Sequence, residues 1–561
     1  MPRDDILILD EAKAVYVVIK VVDEEESVNF PVIYNILHVL RIYRYCPAIS
    51  EKQAAMSKQN GAAIAFFLRV SAYGLVLSCA EPLSAQADTL NPVEFWNQEL
   101  LQGIRNDLMS PTQAAYDIAI IDIAMYDAVD ASTGLTYKPY NYTGAAVAGA
   151  DAAAATFYAG EDTALSLFTS AASQTTLRSA ATAYGDMFGY TTTPPGGSAI
   201  QLGQALGQTT ATTMLARSVS DGSLAPMPPF TGSTAPGQWR PTPPNYASGV
   251  TPNWGSVVPF VLTSGSEFRA PPPPALGSAA YNAALLQVQC MGGTTAPSAS
   301  VCGQYAVAPA QKAANNATAL FWSNDANGTY KPPGQWIQTA VTISTSLAKP
   351  LSLLQDARMF ALVGTSLGDA AIAEWDTKYY YNFWRPVTAI NDPKYNPNPP
   401  STFWYPAVSA ADDSSQPATT PAFPSYASGH STFGAAAATA LADFFGTDQF
   451  TFTVASDTSS ETRTYDSFSS AVLEDGLSRI YGGWHFSFDV TAGIDMGTEV
   501  GNTVFDDAFT PVPEPPAYAL FATGLVGLVA FRRRIRVDGR LEQQRPASGG
   551  HGARGLGTAP R

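Results

Sequence analysis

Between Thr112 and Ser132 the chain reads TQAAYDIAIIDIAMYDAVDAS, and its apolar residues return every three to four positions. That spacing puts them on one face of an α-helix, whereas a half-buried strand would alternate with a period of two. Helical patterning extends from Asn91 to about Val219, with Ala-rich segments recurring through residues 143–217. It returns over residues 305–322, 336–392 and 431–446, and in a last helix beginning near residue 485. Residues 220–275 are rich in Pro, Gly and Thr and show no period, so they read as a long ordered loop wrapping the domain. A Pro-rich break follows at 393–424. Strand alternation is scarce and no internal repeat occurs. The expected architecture is therefore mainly α, a bundle with extended loops.

The length allows one large domain or two ordinary ones, with ample apolar content for a core. Charged residues make up 14% of the chain, aromatic residues 11%, and glycine and proline number 44 and 42. This is the composition of an ordered protein with long irregular connections. The formal net charge of −16 argues against general nucleic-acid binding. Any anion pocket must therefore be a local basic focus in an acidic protein.

The two ends read differently from the middle. Residues 62–80, AAIAFFLRVSAYGLVLSCA, follow Lys58 and precede Ser84-Ala85-Gln86-Ala87, the pattern of a secretory signal with Asp88 as first mature residue. Met56 is then the expected start, residues 56–87 the signal, and residues 1–55 an over-extended N-terminus. Near the other end, Val512-Pro513-Glu514-Pro515 leads into AYALFATGLVGLVAF (517–531) and Arg532-Arg533-Arg534. The apolar run is short for a spanning helix, which needs roughly 20 residues. Residues 511–534 resemble the PEP-CTERM sorting signal of Gram-negative bacteria. This implies export to the periplasm or cell surface, transient anchoring in the inner membrane, and recognition by export and sorting machinery. Residues 535–561 read as an unstructured tail. Cys46 and Cys79 fall in the segment expected to be removed. Cys290 and Cys302 remain, as a local disulfide in an exported protein or as two thiols in a cytosolic one, and without a nearby histidine they make no zinc site.

Only four histidines occur in the chain, and His38 and His551 lie in the end segments. The other two sit in motifs suited to an oxyanion. Lys378 and Arg385 are seven residues apart, which on a continuous helix places both cations on one face, two turns apart. Ser428-Gly429-His430 opens an Ala-rich helix, where glycine lets backbone N–H groups approach an anion and the helix dipole adds favourable potential. Ser428 adds a hydroxyl donor and His430 a group that titrates near neutrality. After Ser478-Arg479, Gly482-Gly483 breaks the preceding helix, so His485 is expected to open a new one. Asp489, four residues on, then holds one ring nitrogen and leaves the other free. Taken singly these are compatible with a solvated basic face, an N-cap serine or a core histidine. Their ordered combination is far more specific.

The ordered set K-x6-R-P, P-S-x-x-S-G-H and S-R-x5-H-x3-D resembles the signature of the superfamily of vanadium-dependent haloperoxidases and type 2 phosphatidic acid phosphatases. FWNQELLQGIRNDLMSPTQAAYDIAIIDIAMYDAV (95–129), PGQWRPTPP (236–244), FWSND (321–325), PPGQW (332–336) and EWDTKYYYNFWRPVTAI (374–390) look like the bacterial, chloroperoxidase-type branch. The likeness covers about residues 94–509, within an expected domain of 88–510. It implies two four-helix-bundle-like halves with the site at one end. It further implies that Lys378, Arg385, Ser428, Gly429 and Arg479 bind the oxygens of vanadate or phosphate. His485 would coordinate vanadium or attack phosphorus, His430 would handle protons, and Lys378 would polarise the peroxide. Trp375 and Phe423 match aromatics of a halide pocket, although core packing explains them nearly as well. Asp325 is the implied salt-bridge partner of Arg479. The implied cofactor is vanadate, and the implied substrates are hydrogen peroxide with a halide or organic small molecule. The same residues also suit a soluble exported acid phosphatase that needs no cofactor and works through a phosphohistidine. A non-catalytic surface protein that retains the pocket is the third reading, opposed by seven intact site residues.

Overall fold

The computed structural model describes residues 90–409 and 418–513. The expected over-extended N-terminus, secretory signal and tail, and all but the first three residues of the 511–534 signal, lie outside the described residues.

Fourteen α-helices and one two-stranded antiparallel sheet occur among the described residues. The helices are α1 (Pro92–Asp107), α2 (Pro111–Thr133), α3 (Ala152–Leu167), α4 (Ala171–Phe188), α5 (Ala199–Arg217), α6 (Ala279–Met291) and α7 (Ala299–Cys302). They continue with α8 (Pro309–Phe321), α9 (Lys331–Ser346), α10 (Leu353–Tyr381), α11 (Pro386–Ile390), α12 (Gly429–Phe445), α13 (Phe468–Gly482) and α14 (Ser487–Asp507). Strands β1 (Phe452–Val454) and β2 (Arg463–Tyr465) form a small hairpin between α12 and α13.

Local chemistry sets the helix ends. Asn91 and Glu94 form a capping box at α1, and Ser352 and Gln355 form another at α10. Ser110 caps α2, Pro111 occupies its first turn, and Gly134 ends it in the left-handed region. The helical stretch expected over 336–392 is three helices, because residues 347–352 leave helical geometry after Ser346 and Asn382 ends α10 left-handed at φ 48°. Helix α6 lies in a stretch where no helix was expected. Its residue Cys290 is joined to Cys302 of α7 by a disulfide.

Helices α2, α3 and α5 pack together with α10 as one group, and α12, α13 and α14 pack with α10 as a second. The 29-residue α10 thus belongs to both, and most of its residues are buried. In the second group, Gly493, Gly497 and Gly501 form a stripe on α14 facing α12. A Cβ at these positions would collide with Ser428 O, Thr432 O and Thr439 Cβ in turn. Glycine therefore allows the backbones of α12 and α14 to lie against each other, which places the start of α12 beside the start of α14.

Loops are pinned by buried carboxylates. Asp127 accepts N–H bonds from Tyr140, Asn141 and Tyr142 at 2.7–2.9 Å. Asp369 of α10 accepts from Phe260, Val261 and Leu262 at 2.6–3.0 Å. The long loop between α5 and α6 is also stitched to the chain near 382–384 and 422. Trp239 N donates to Asn382 O at 2.7 Å, Trp384 N to Gly237 O at 3.0 Å and Val250 N to Ala422 O at 2.9 Å.

These buried acids make a stability prediction. Burial pushes the carboxyls of Asp117 and Asp475 up to about 8, Asp356 up to about 7, and Asp127 and Asp369 up to about 6. A carboxyl whose pKa is higher folded than unfolded binds more protons in the folded state between the two values. Stability therefore falls as pH rises from about 4 towards about 8. The melting temperature at about pH 5.5 is expected to exceed that at about pH 8.5 by roughly 3 °C or more. Equal or reversed values in a scanning-calorimetry series would refute this.

Candidate active site

Four helix ends meet at the site. Lys378 lies in the last turn of α10 and Arg479 in the last turn of α13, while Ser428 and Phe486 are the N-cap residues of α12 and α14. Lys378 and Arg385 do not share a helix face, contrary to the expectation from their spacing. Asn382 ends α10, and Arg385 is extended (φ −82°, ψ 156°) ahead of Pro386, because a residue preceding proline is disfavoured in the α region. Both cations nevertheless reach the 423–427 segment, Lys378 from the helix and Arg385 from the turn beyond it.

His485 likewise lies just before α14 rather than within its first turn. Gly483 (φ 86°) ends α13, and Asp489 at the third helical position reaches back. One oxygen of Asp489 accepts from His485 Nδ1 at 2.9 Å, Phe486 N at 3.1 Å and Ser425 Oγ at 2.5 Å. This places a proton on Nδ1 and leaves the Nε2 lone pair exposed to Arg385 Nη1, 2.9 Å away. Ser428 N donates to Asp489 O at 3.0 Å, tying the two helix starts together.

The guanidinium groups are held from one side. Arg385 donates through Nε to Phe423 O at 2.8 Å and through Nη1 to Trp484 O at 3.1 Å. Arg479 stacks over Trp484 with 4.3 Å to the ring centroid, and its Nη2 lies 3.6 Å from Asp325 Oδ2. Both arginines are fully buried. Arg385 Nη2 and Arg479 Nε and Nη2 are buried without a hydrogen-bond acceptor. Leaving charged donors unpaired is costly, so three such groups together call for an anion. Ser428 supports the same conclusion. Its side chain does not cap α12 and instead accepts from Ser431 Oγ at 3.0 Å, which leaves its own proton available.

His430, at the start of α12, faces Ser323 O through Nε2 at 2.8 Å and lies 4.0 Å from Asp325. Burial first, and then Arg479, hold its pKa well below the usual imidazole range. Burial and the Arg385, Lys378 and Arg479 cations do the same to His485. Both rings are therefore neutral near pH 7. With Nε2–H facing a carbonyl, the basic nitrogen of His430 is Nδ1.

Lys378 is wholly buried and bonds Pro424 O at 3.1 Å, Ser425 O at 3.2 Å and Ala427 O. Its Nζ lies 5.0 Å from the Phe423 centroid and 5.8 Å from that of Trp375. The two rings contact each other at 5.0 Å. Phe423 and Asp325 line a cavity of about 440 Å³, which Leu108, Met109, Val250 and Lys331 also border. Every residue expected at the oxyanion site thus joins one connected cluster, while Cys290 and Cys302 lie elsewhere.

Two participants were not anticipated. Ser425 supports Asp489, and Glu374 pairs with Lys378 Nζ at 2.9 Å. Glu374 stands four residues before Lys378, an i, i+4 relation that on its own reads as an ordinary surface pair.

Buried guanidinium donors thus surround a neutral, carboxylate-held histidine at one end of the bundle. Residues 358–512 match the family model described as the VCPO second helical-bundle domain. Residues 511–534 match the PEP-CTERM protein-sorting motif, which marks extracytoplasmic sorting in Gram-negative bacteria. The chain is 28% identical over 197 residues to vanadium chloroperoxidase of Curvularia inaequalis, a match spanning 33% of this chain and 31% of that protein. The fold is similar to that of the first bacterial vanadium-dependent iodoperoxidase, with a TM-score of 0.60 at 24% identity over 76% of this chain and 98% of that one. It is also similar to an apo-type bacterial vanadium-dependent chloroperoxidase, with a TM-score of 0.52 at 14% identity over 71% and 95%. Among the described residues no helix is long and apolar enough to cross a membrane, and the apolar run 517–531 lies outside them.

Asp489→Leu tests the histidine geometry. With no acceptor at Nδ1, the ring is no longer held with its proton there and its lone pair on Nε2. Orthovanadate affinity, measured by calorimetry, is expected to weaken roughly 10–100-fold. Unchanged affinity in the folded variant would show that the tautomer is irrelevant.

Proposed function

We propose that this protein is an exported vanadate-dependent haloperoxidase, oxidising halide with hydrogen peroxide to hypohalous acid or halogenated organic products. The observation that carries this reading is the set of unpaired guanidinium N–H groups around His485, whose Nε2 holds a lone pair. The donor set fits vanadate: Arg385, Arg479, Ser428 and the N–H of Gly429 would hold its oxygens, and His485 Nε2 would be the nitrogen ligand. Bound vanadate would supply Lewis-acid activation of peroxide without a redox change at the metal.

The remaining work falls to the side chains. Neutral His430 accepts a proton at Nδ1 as peroxide enters and returns it as water leaves. Asp325, within reach of both Arg479 and His430, keeps these two groups in register. Lys378 places a fixed positive charge beside the Trp375–Phe423 wall, where negative charge develops during oxygen transfer. That wall sheds water from the incoming halide, and the 440 Å³ cavity beside Phe423 gives room for an organic acceptor.

The comparison that tests the proposal assays one preparation in two ways. The first is iodination or bromination of an organic acceptor with peroxide, with and without vanadate. The second is hydrolysis of a phosphomonoester without vanadate. Vanadate-dependent halogenation is expected, and His485→Ala should reduce it to background. Phosphatase turnover that vanadate abolishes, with no halogenation, would establish the phosphohistidine reading instead. Activity untouched by His485→Ala would remove the site assignment altogether.

A further inference from the structure

A carboxylate in a cradle built for an anion needs an explanation. Glu374 is completely buried on α10. Its one close cation is Lys378, 2.9 Å from Oε1, and its other oxygen, Oε2, is buried without a hydrogen-bond donor. It also touches the first turn of the anion-facing helix. A Cβ on Gly429 would lie 2.9 and 3.0 Å from the two Glu374 oxygens. Glycine is thus required at 429 by Glu374 itself, besides any need of the ligand. The other charged groups facing Glu374 are Arg385 and Asp325.

An unpaired buried acceptor next to an oxyanion can be satisfied in one chemically simple way: the oxyanion brings the missing proton. We propose that Glu374 is a specificity-determining residue that accepts a hydrogen bond from an O–H of the bound oxyanion. The site would then select hydroxylated oxyanions, such as vanadate and hydrogenphosphate, over fully deprotonated ones. An aprotic oxyanion would set its own lone pairs against those of the carboxylate, with no donor between them. Burial pushes Glu374 up to about 7, opposed by Lys378, so above that pH the carboxylate is an acceptor only. The inference rests on the oxyanion-site reading and adds to it the protonation state of the ligand.

Hydrogenphosphate and sulfate make a matched test, because near pH 8 both are tetrahedral dianions of similar size and only the former carries an O–H. Titration calorimetry on the purified full chain at that pH would use orthovanadate, phosphate and sulfate. Vanadate and phosphate are expected to bind, and sulfate to bind at least roughly 100-fold more weakly than phosphate, since a site built around a hydroxyl rejects the analogue without it. In Glu374→Gln the amide can donate, so sulfate should gain affinity relative to phosphate, and the ratio should fall to within about 5-fold. No binding of any of the three by the wild type would overturn the oxyanion site. Binding of phosphate and sulfate with similar affinity by the wild type would leave that site standing and sink the role of Glu374. Discrimination that persists in a folded Glu374→Gln variant would do the same. The wild-type comparison stands even if the variant fails to fold.

Discussion

Three cations, Lys378, Arg385 and Arg479, are buried completely at one end of a helical bundle, and much of the surrounding structure answers that cost. Removing a charge from water costs several kcal/mol unless hydrogen bonds and counter-charges replace the solvent. Here the replacements are mostly backbone carbonyls: Phe423 and Trp484 for Arg385, and Pro424, Ser425 and Ala427 for Lys378. The aromatic faces of Phe423 and Trp484 lie against the guanidinium groups. These same contacts fix the 423–428 segment and the 483–486 turn, so the cations organise the loops that carry Ser428, His430 and His485. Site and scaffold cannot be separated in this region.

The acidic side of the protein follows the same logic with signs reversed. Asp127 and Asp369 each gather three consecutive N–H groups from a loop and need no lysine or arginine as partner. Carboxylates thus order long loops alongside arginines such as Arg217, which donates to Pro259 O at 2.8 Å, and Arg269, which pairs with Asp376 at 2.6 Å. Helix α10 shows the division of labour along a single element. Asp369, near its middle, holds the loop between α5 and α6, and Glu374 and Lys378, further along the same helix, pair beside Gly429 and the 423–427 segment.

The helices were legible because burial of one face imposes a period on the residues, and α2, α12 and α14 lie close to where that period places them. What periodicity does not carry is where a helix stops. Asn382 is left-handed and Pro386 keeps Arg385 extended, so Lys378 and Arg385 share no helix face and meet only through the 423–427 segment. The short helix α6 fell in a stretch where no helical pattern had been recognised. The site residues were legible as a motif because polar and charged types recur in a fixed order. Glu374 was not, since a glutamate four residues before a lysine on a helix is usually an ordinary surface pair, and only burial reveals it as unusual. Ser425 was hidden similarly, as its importance comes from Asp489, 64 positions away.

Under the proposed function, vanadium and phosphorus chemistry alike ask of His485 a neutral ring with its lone pair on Nε2, and two independent sets of contacts produce that state. Asp489 fixes the tautomer through Nδ1, while Arg385, Lys378 and Arg479 disfavour a second proton electrostatically. Arg385 Nη1 donates to the same lone pair, so any atom that bonds Nε2 must displace this hydrogen bond. That displacement frees a second guanidinium N–H beside Nη2, which is already without an acceptor. An oxyanion can accept from both, whereas a neutral ligand on Nε2 would leave the arginine poorer by one partner. The arrangement therefore favours a ligand that brings negative oxygens together with its electrophilic centre. Vanadate and phosphate esters share that property; under the proposed reading the group left to tell them apart is Lys378 with its aromatic wall, because Glu374 is proposed to meet an O–H that vanadate and hydrogenphosphate both carry.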